Sequence, residues 1–193
     1  MKKPLSEMTL EELWELFPII LKEHNPEYKE WYLNEKERIK SAVGRNEIMR
    51  INHIGSTAVE GLVAKPIVDI LLEVDADSDL EKLKLKLENA GWTLMSVEKE
   101  PELKISFNKG YTPDGFADKV FHLHVRYVGD WDELYFRDYL LNHDEVATKY
   151  GELKQRLEKQ HKHDRDGYTE AKTEFIKKWT KEARKELGSR YAP

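Results

Sequence analysis

The chain has no cysteine. Disulfides, thiolate zinc sites and thiol nucleophiles are therefore excluded, and a metal site would have to use His, Asp, Glu or Ser. It also lacks long apolar runs: no window approaches ~18 apolar residues, so no membrane-spanning helix and no membrane partner are expected. The first residues, Met1-Lys2-Lys3-Pro4, have no apolar segment behind their lysines. They do not read as a secretory signal, and a cytoplasmic location is expected. Positive charge is outnumbered, with 32 Lys and Arg against 37 Asp and Glu and a formal net charge of -5. Such a balance gives no global pull toward nucleic acid, and no nucleic-acid partner is expected. Internal repeats, low-complexity tracts and Gly/Ser linkers are missing as well. What remains is a chain of 193 residues, 39% hydrophobic and 36% charged. That suits one domain over residues 1–193 with a real core and a heavily solvated surface.

Helix signals open the chain. Thr9 and Glu12 form a capping box before Leu10, Leu13, Trp14 and Phe17, and Pro18 ends that helix. Ile19-Ile20-Leu21 reads as a brief strand. Asn25-Pro26 starts a second helix that Gly44 closes. A strand over 47–54 leads into Gly55-Ser56-Thr57. A second apolar run, Ile67–Val74, has Asp69 set into it. Ser78 or Asp79 caps a helix closed by Gly91. Segments 92–97 and 103–107 read as strands, and 108–115 is dense in turn formers. Alternation over 119–128 puts Val120, His122, His124 and Arg126 on one face of a strand. After Asp130 the pattern is helical: a capping box at Asp130–Glu133, a helix near 144–159 and another near 168–187. The order predicts an α+β (α/β-like) fold, with a mixed sheet over about 47–128 and a helical C-terminal third over about 130–187.

Few residues in this pattern can carry chemistry. A strand ending in Gly55-Ser56 can aim backbone N–H groups and a hydroxyl at a phosphate, or can be a simple turn. Asp is depleted in strands, so Asp69 needs a metal, a basic partner or a cap. Lys65, just before it, is either that partner or a phosphate cation. Glu73 shares the face of Asp69. At ~3.3 Å per residue it stands ~13 Å away, too far to share one magnesium ion with it. Leu71 fills the position between. His122 and His124, at ~7 Å on one face, suit two ligands of one metal, two hands on a phosphate, or a solvated strand face. His53 is placed to hydrogen-bond either a phosphate or the loop. Tyr168 and Lys172, four apart, share a helical face, and Arg137 lies on a helix. His161 and His163 read as a wet helix end.

The stretch His53-Ile54-Gly55-Ser56-Thr57-Ala58-Val59, with Gly61-Leu62, Ala64-Lys65-Pro66-Ile67 and Asp69-Ile70, closely resembles the signature of the GrpB family. Later pieces agree in order: His122-Leu123-His124-Val125, Phe136-Arg137-Asp138-Tyr139-Leu140, Tyr150 with Leu153-Lys154, and Tyr168 with Lys172 and Phe175-Ile176. The resemblance spans about residues 19–185. It implies a nucleotidyltransferase-like fold, a mixed sheet flanked by helices. Family members also occur fused to the C-terminus of dephospho-CoA kinases. In the wider superfamily the Gly-Ser turn precedes a strand with two alternating acids, a third acid lies on a later strand, and these hold two magnesium ions. This sequence departs from that pattern at Leu71 and by carrying His122 and His124 on the later strand.

By that resemblance the chain is expected to bind a nucleotide or phosphorylated small molecule. It would transfer a nucleotidyl group with Mg2+ or Mn2+. Asp69, His122 and His124 would be the metal-binding and catalytic residues. His53, Gly55, Ser56, Thr57, Lys65, Arg137, Tyr168 and Lys172 would hold the phosphates or nucleotide. The alternative is a non-catalytic phosphate-binding or regulatory module linked to coenzyme A metabolism. A third reading is a His/Asp metallo-hydrolase of phosphoesters.

Overall fold

The computed structural model describes residues 2–193. Its elements run α1 (Leu10–Leu16), α2 (Tyr28–Val43), β1 (Arg50–Ile54), β2 (Ile67–Val74), α3 (Leu80–Asn89), β3 (Thr93–Glu98), β4 (Lys104–Thr112), β5 (Gly115–Tyr127), α4 (Asp132–Asn142), α5 (Asp144–Gln160), α6 (Arg165–Glu170) and α7 (Thr173–Leu187). The five strands form one sheet in the order β1-β2-β5-β4-β3. The central pair, β2 and β5, is parallel; the other pairs are antiparallel. This is the expected α+β architecture, with a helical C-terminal third.

Alternation along the two central strands divides the molecule. Val68, Ile70, Leu72 and Val74 of β2 join Phe121, Leu123 and Val125 of β5 in the main core, where Tyr28, Ile39 and Val43 of α2 and Leu83 and Leu87 of α3 cover them. Each such buried side chain contributes roughly 1.5–3 kcal/mol of transfer free energy. The opposite face of β2 carries Asp69, Leu71 and Glu73, and it meets the C-terminal helices. There Leu71 is fully buried against Ile54 and Leu134. The position where a second acid would alternate with Asp69 is thus a packed core position under α4.

Local signals fared unevenly. Thr9 and Glu12 form both bonds of the capping box, and Asp79 caps α3 through Lys82 N–H. Ile19-Ile20-Leu21 is not a strand; the segment contributes a single bridge, Lys22 to Ala64. Asp130–Glu133 forms no capping box, because Asp130 is taken by the Tyr135 hydroxyl and Arg184. The turn-rich stretch 108–115 is mostly strand: β4 runs to Thr112 and turns tightly into β5, with a register shift between Lys109 and Tyr111. Turn propensity there was overridden by pairing with a long partner strand. The helix expected near 168–187 is two helices, α6 and α7, broken before Lys172.

Candidate functional site

The site is built at one end of the two central strands. In the β1–β2 register Ile54 pairs with Asp69, so the chain leaves β1 directly beside that carboxylate. Gly55 turns with φ of 71°, a conformation that disfavours any side chain, and a Cβ there would stand 2.6 Å from Asp69 Oδ2. Gly55 and Asp69 therefore interlock. The 3-10 turn Ser56–Ala58 follows. Thr57 Oγ1 donates to the Ile67 carbonyl (3.3 Å) and lies 2.9 Å from His53 Nε2. With the hydroxyl proton so placed, His53 is the donor of that second bond. His53 also stacks on Tyr32 at 4.9 Å. Burial holds its pKa down, to about 4, so the ring is neutral at physiological pH. Of the two roles the sequence allowed it, the structure shows the tie to the loop.

The parallel register of β2 with β5 pairs Asp69 with His122 and Leu71 with His124. His122 Nδ1 lies 3.1 Å and His124 Nε2 3.5 Å from Asp69 Oδ1. Ligand atoms of the three residues lie within 4.8 Å of one another, a group that could hold a metal ion. Burial opposes the Asp69 charge, but hydrogen bonds from His122 and His124 outweigh it and hold the carboxyl well below its usual range. His122 is steered from its other side. Its Nε2 meets the Tyr111 hydroxyl at 2.8 Å, and that oxygen accepts from Arg165 at 2.8 Å. Such outer partners fix the orientation of a ligating imidazole.

Opposite this group lies a pocket of about 210 Å³ lined by Ser56, Lys65, Asp69, His122, Tyr150, Lys154, Tyr168 and Lys172, among others. Lys154 comes from α5, which approaches the 55–64 loop closely at Gly151, where a Cβ would stand 3.2 Å from Val63. Its ammonium donates to Ser56 Oγ (2.9 Å) and to the Val63 carbonyl. Lys65 and Lys172 lie over the Tyr168 ring at 5.6 and 4.4 Å. None of the three lysines makes an ion pair among the described residues. Burial pulls Lys65 and Lys154 down to about 7, with repulsion from Arg165 and Lys172 adding for Lys65 and from Lys172 and Lys65 for Lys154. Burial takes Lys172 to about 8. The Tyr168 hydroxyl is buried without a partner, and burial pushes its pKa up.

The structure thus gathers Asp69, His122, His124, Gly55, Ser56, Thr57, Lys65, Tyr168 and Lys172 in one place. Arg137 is not free there: its guanidinium is bound to Asp138, the His53 carbonyl, Asn52 and the Tyr191 hydroxyl. It fastens α4 to β1. His161 is likewise structural, bonded to Asp164 beside the start of α6. Tyr111 and Arg165 were missed as site residues, because the first lies in a turn-like stretch and the second in a charged connector. Tyr150 and Lys154 were visible only as matched family positions.

A mixed sheet whose first strand ends in a Gly-Ser turn beside a strand-borne Asp is the nucleotidyltransferase-like fold. The Cid1 poly(U) polymerase structure with Mg and 3'-dATP bound superposes with a TM-score of 0.52 at 10% identity, over 84% of this chain and 51% of that one. That likeness concerns the fold alone. The chain belongs to the GrpB family: the family profile, described as GrpB protein, matches residues 18–182. The GrpB crystal structure from Enterococcus faecalis superposes with a TM-score of 0.76 at 30% identity, over 87% of this chain and 99% of that one. The glutamate-rich protein GrpB of Alkalihalophilus pseudofirmus is 34% identical over 82% of this chain and 91% of its own length. A UPF0157 protein of Pseudomonas aeruginosa is 36% identical over 79% of this chain. The chain spans 62% of the length of that relative, and 44% of the length of the Bacillus subtilis UPF0157 protein YqkA.

Proposed function

We propose that this chain binds the polyphosphate of a nucleotide, or a similarly phosphorylated small molecule, and transfers a nucleotidyl group from it. The observation that carries this reading is the trio Lys65, Lys154 and Lys172. All three line one pocket with Ser56 and Asp69, and none has an ion-pair partner among the described residues. Gathering three ammonium groups around a single carboxylate is unfavourable in the empty protein, and a multiply charged anion removes the penalty. A volume of about 210 Å³ suits the phosphate chain rather than a whole nucleotide.

The donor set fits one divalent cation, held by Asp69, His122 and His124. Two imidazoles and one carboxylate suit Mn2+ better than Mg2+, which prefers an all-oxygen octahedron. Such an ion supplies Lewis-acid polarisation of a phosphoryl oxygen. Ser56 and the turn after Gly55 orient the phosphates, and the lysines neutralise charge on the departing group. The fully buried Leu71 supports the second reading, a non-catalytic module that keeps the phosphate pocket and serves a regulatory role linked to coenzyme A metabolism.

Thermal unfolding tests the binding that both readings share. Inorganic tripolyphosphate and nucleoside triphosphates are expected to raise Tm, more so with MnCl2 than with MgCl2, and Lys154→Met is expected to remove the shift. Pyrophosphate release would distinguish transfer from binding alone. No stabilisation by any of these anions sinks both readings.

A further inference from the structure

Asp69, Gly55, Ser56 and Tyr150 form a wall between two cavities. One is the lysine pocket. The other is a cleft of about 990 Å³ between the C-terminal helices and the β3–β4 and β5–α4 connections. Small-molecule sites run to roughly 300–1,000 Å³, so the larger cleft is the right size for one. Its lining includes the apolar side chains of Ile54, Trp131, Phe136, Leu140 and Ile176.

The lysine pocket carries an excess of positive charge, whereas the charges lining the cleft nearly balance. Arg184 is engaged by Asp130 and Asp132 and Arg137 by Asp138, while Arg126 meets Glu133 at 3.6 Å and leaves its Nε without a partner. The two remaining cations, Lys99 and Lys104, flank Glu100 and Glu102 in the chain, and the whole lining carries five Lys and Arg against six Asp and Glu. Nucleic acid carries a phosphate at every nucleotide and is held by unneutralised Lys and Arg. This cleft has no surplus of them.

We infer that the cleft is the acceptor site of the transfer reaction and that the acceptor is a small alcohol with an uncharged, apolar or aromatic body, not an RNA or DNA end. This rests on the nucleotidyl-transfer reading above. The acceptor oxygen bonds to the α-phosphorus of the nucleotide. The bond from that phosphorus to the bridging oxygen of the leaving group breaks, pyrophosphate departs through the lysine pocket, and the hydroxyl proton goes to water in the cleft. The division of labour follows from the two linings: polyanion on the lysine side, weakly charged nucleophile on the apolar side, Asp69 between.

The test uses the full chain labelled with 15N. The Trp131 indole N–H, bonded to the Tyr127 carbonyl at 3.0 Å, reports on the cleft and is assigned by Trp131→Phe. Titration with 2-phenylethanol is expected to shift this resonance saturably. Phe136→Ala and, as a second variant, Ile176→Ala should each weaken that binding, Phe136→Ala by about tenfold for the loss of one aromatic contact. A single-stranded oligouridylate should leave the resonance in place. A shift with oligouridylate, no saturable shift with 2-phenylethanol, or a shift indifferent to both variants overturns the proposal. Tripolyphosphate, read at resonances of the lysine pocket, is scored separately: its failure sinks the polyphosphate reading, whatever the alcohol does.

Discussion

Strand β2 carries two carboxylates on one face, and their surroundings could hardly differ more. Glu73 is fully buried and completely satisfied. Arg50 holds it with two hydrogen bonds of 2.9 and 2.6 Å, and Gly129 N–H adds a third at 3.1 Å. Arg50 in turn binds the Tyr191 carbonyl, at 3.0 Å, and the Gly129 carbonyl, so the pair ties the sheet to the C-terminal segment. Asp69 is half-buried and faces a pocket, with two imidazoles beside it and three unpaired ammonium groups opposite. One end of the strand has its charges cancelled internally. The other end keeps an excess that is relieved by losing protons or by an anion from outside. A buried charge is therefore not a sign of function by itself; the informative feature is the missing partner.

Breaking the two ends should give opposite results. Arg50→Met leaves Glu73 charged and alone in the interior and is expected to cost about 3–5 kcal/mol in urea unfolding. It should leave the binding of tripolyphosphate by the remaining folded protein intact. Asp69→Asn keeps a hydrogen-bonding group beside the histidines and should cost only about 1–2 kcal/mol. It should abolish the extra stabilisation given by Mn2+. If the two variants lose similar stability, the contrast between a structural and a functional carboxylate fails.

Gly55→Ala falls next in size. The new Cβ would meet Asp69 Oδ2 at 2.6 Å on a backbone with φ of 71°. Strain of this kind costs about 1–3 kcal/mol, and relief requires the carboxylate to move away from His122 and His124. The expected outcome is a lower Tm together with weakened Mn2+ binding by calorimetry. Unchanged metal affinity would show that Gly55 serves the turn alone.

The sequence exposed the two ends of β2 to different degrees. Period-two alternation put Asp69, Leu71 and Glu73 on one face and His122 with His124 on one face, because strand geometry is local. That these two faces coincide depends on a parallel pairing between strands some fifty residues apart, and register of that kind is set by the whole sheet. Arg50 as the partner of Glu73 was invisible for the same reason. Arg137 stayed ambiguous because an arginine on a helix looks the same whether it faces a ligand, an ion-pair partner or a backbone carbonyl. Only the packing of α4 over β1 decides that. Tyr111 hid among turn formers that the long pairing with β5 overrode.

The smallest expected effects concern the lysines, and they discriminate most sharply between the two ends. Lys65 has no hydrogen-bond or ion-pair partner, so removing its charge relieves burial and repulsion without orphaning a neighbour. Lys65→Met should raise the Tm of the ligand-free protein, by about 2–4 °C for each kcal/mol relieved, while reducing the shift produced by tripolyphosphate. Removing a charge at the Glu73 end does the reverse. The pH dependence follows from the same cause. Lys65 and Lys154 are held to about 7 and Lys172 to about 8 in the empty pocket. Between about pH 7 and 9 the unfolded chain, whose lysines titrate near 10.4, binds more protons than the folded one, so these groups make folding more favourable as pH rises. A bound polyanion raises the lysine pKa values, so binding takes up protons and must weaken over the same interval. Calorimetry in buffers of different ionisation enthalpy should record that uptake, and Lys65→Met should diminish it. Binding that strengthens from pH 7 to 9, or that takes up no protons, would place the polyanion away from these lysines.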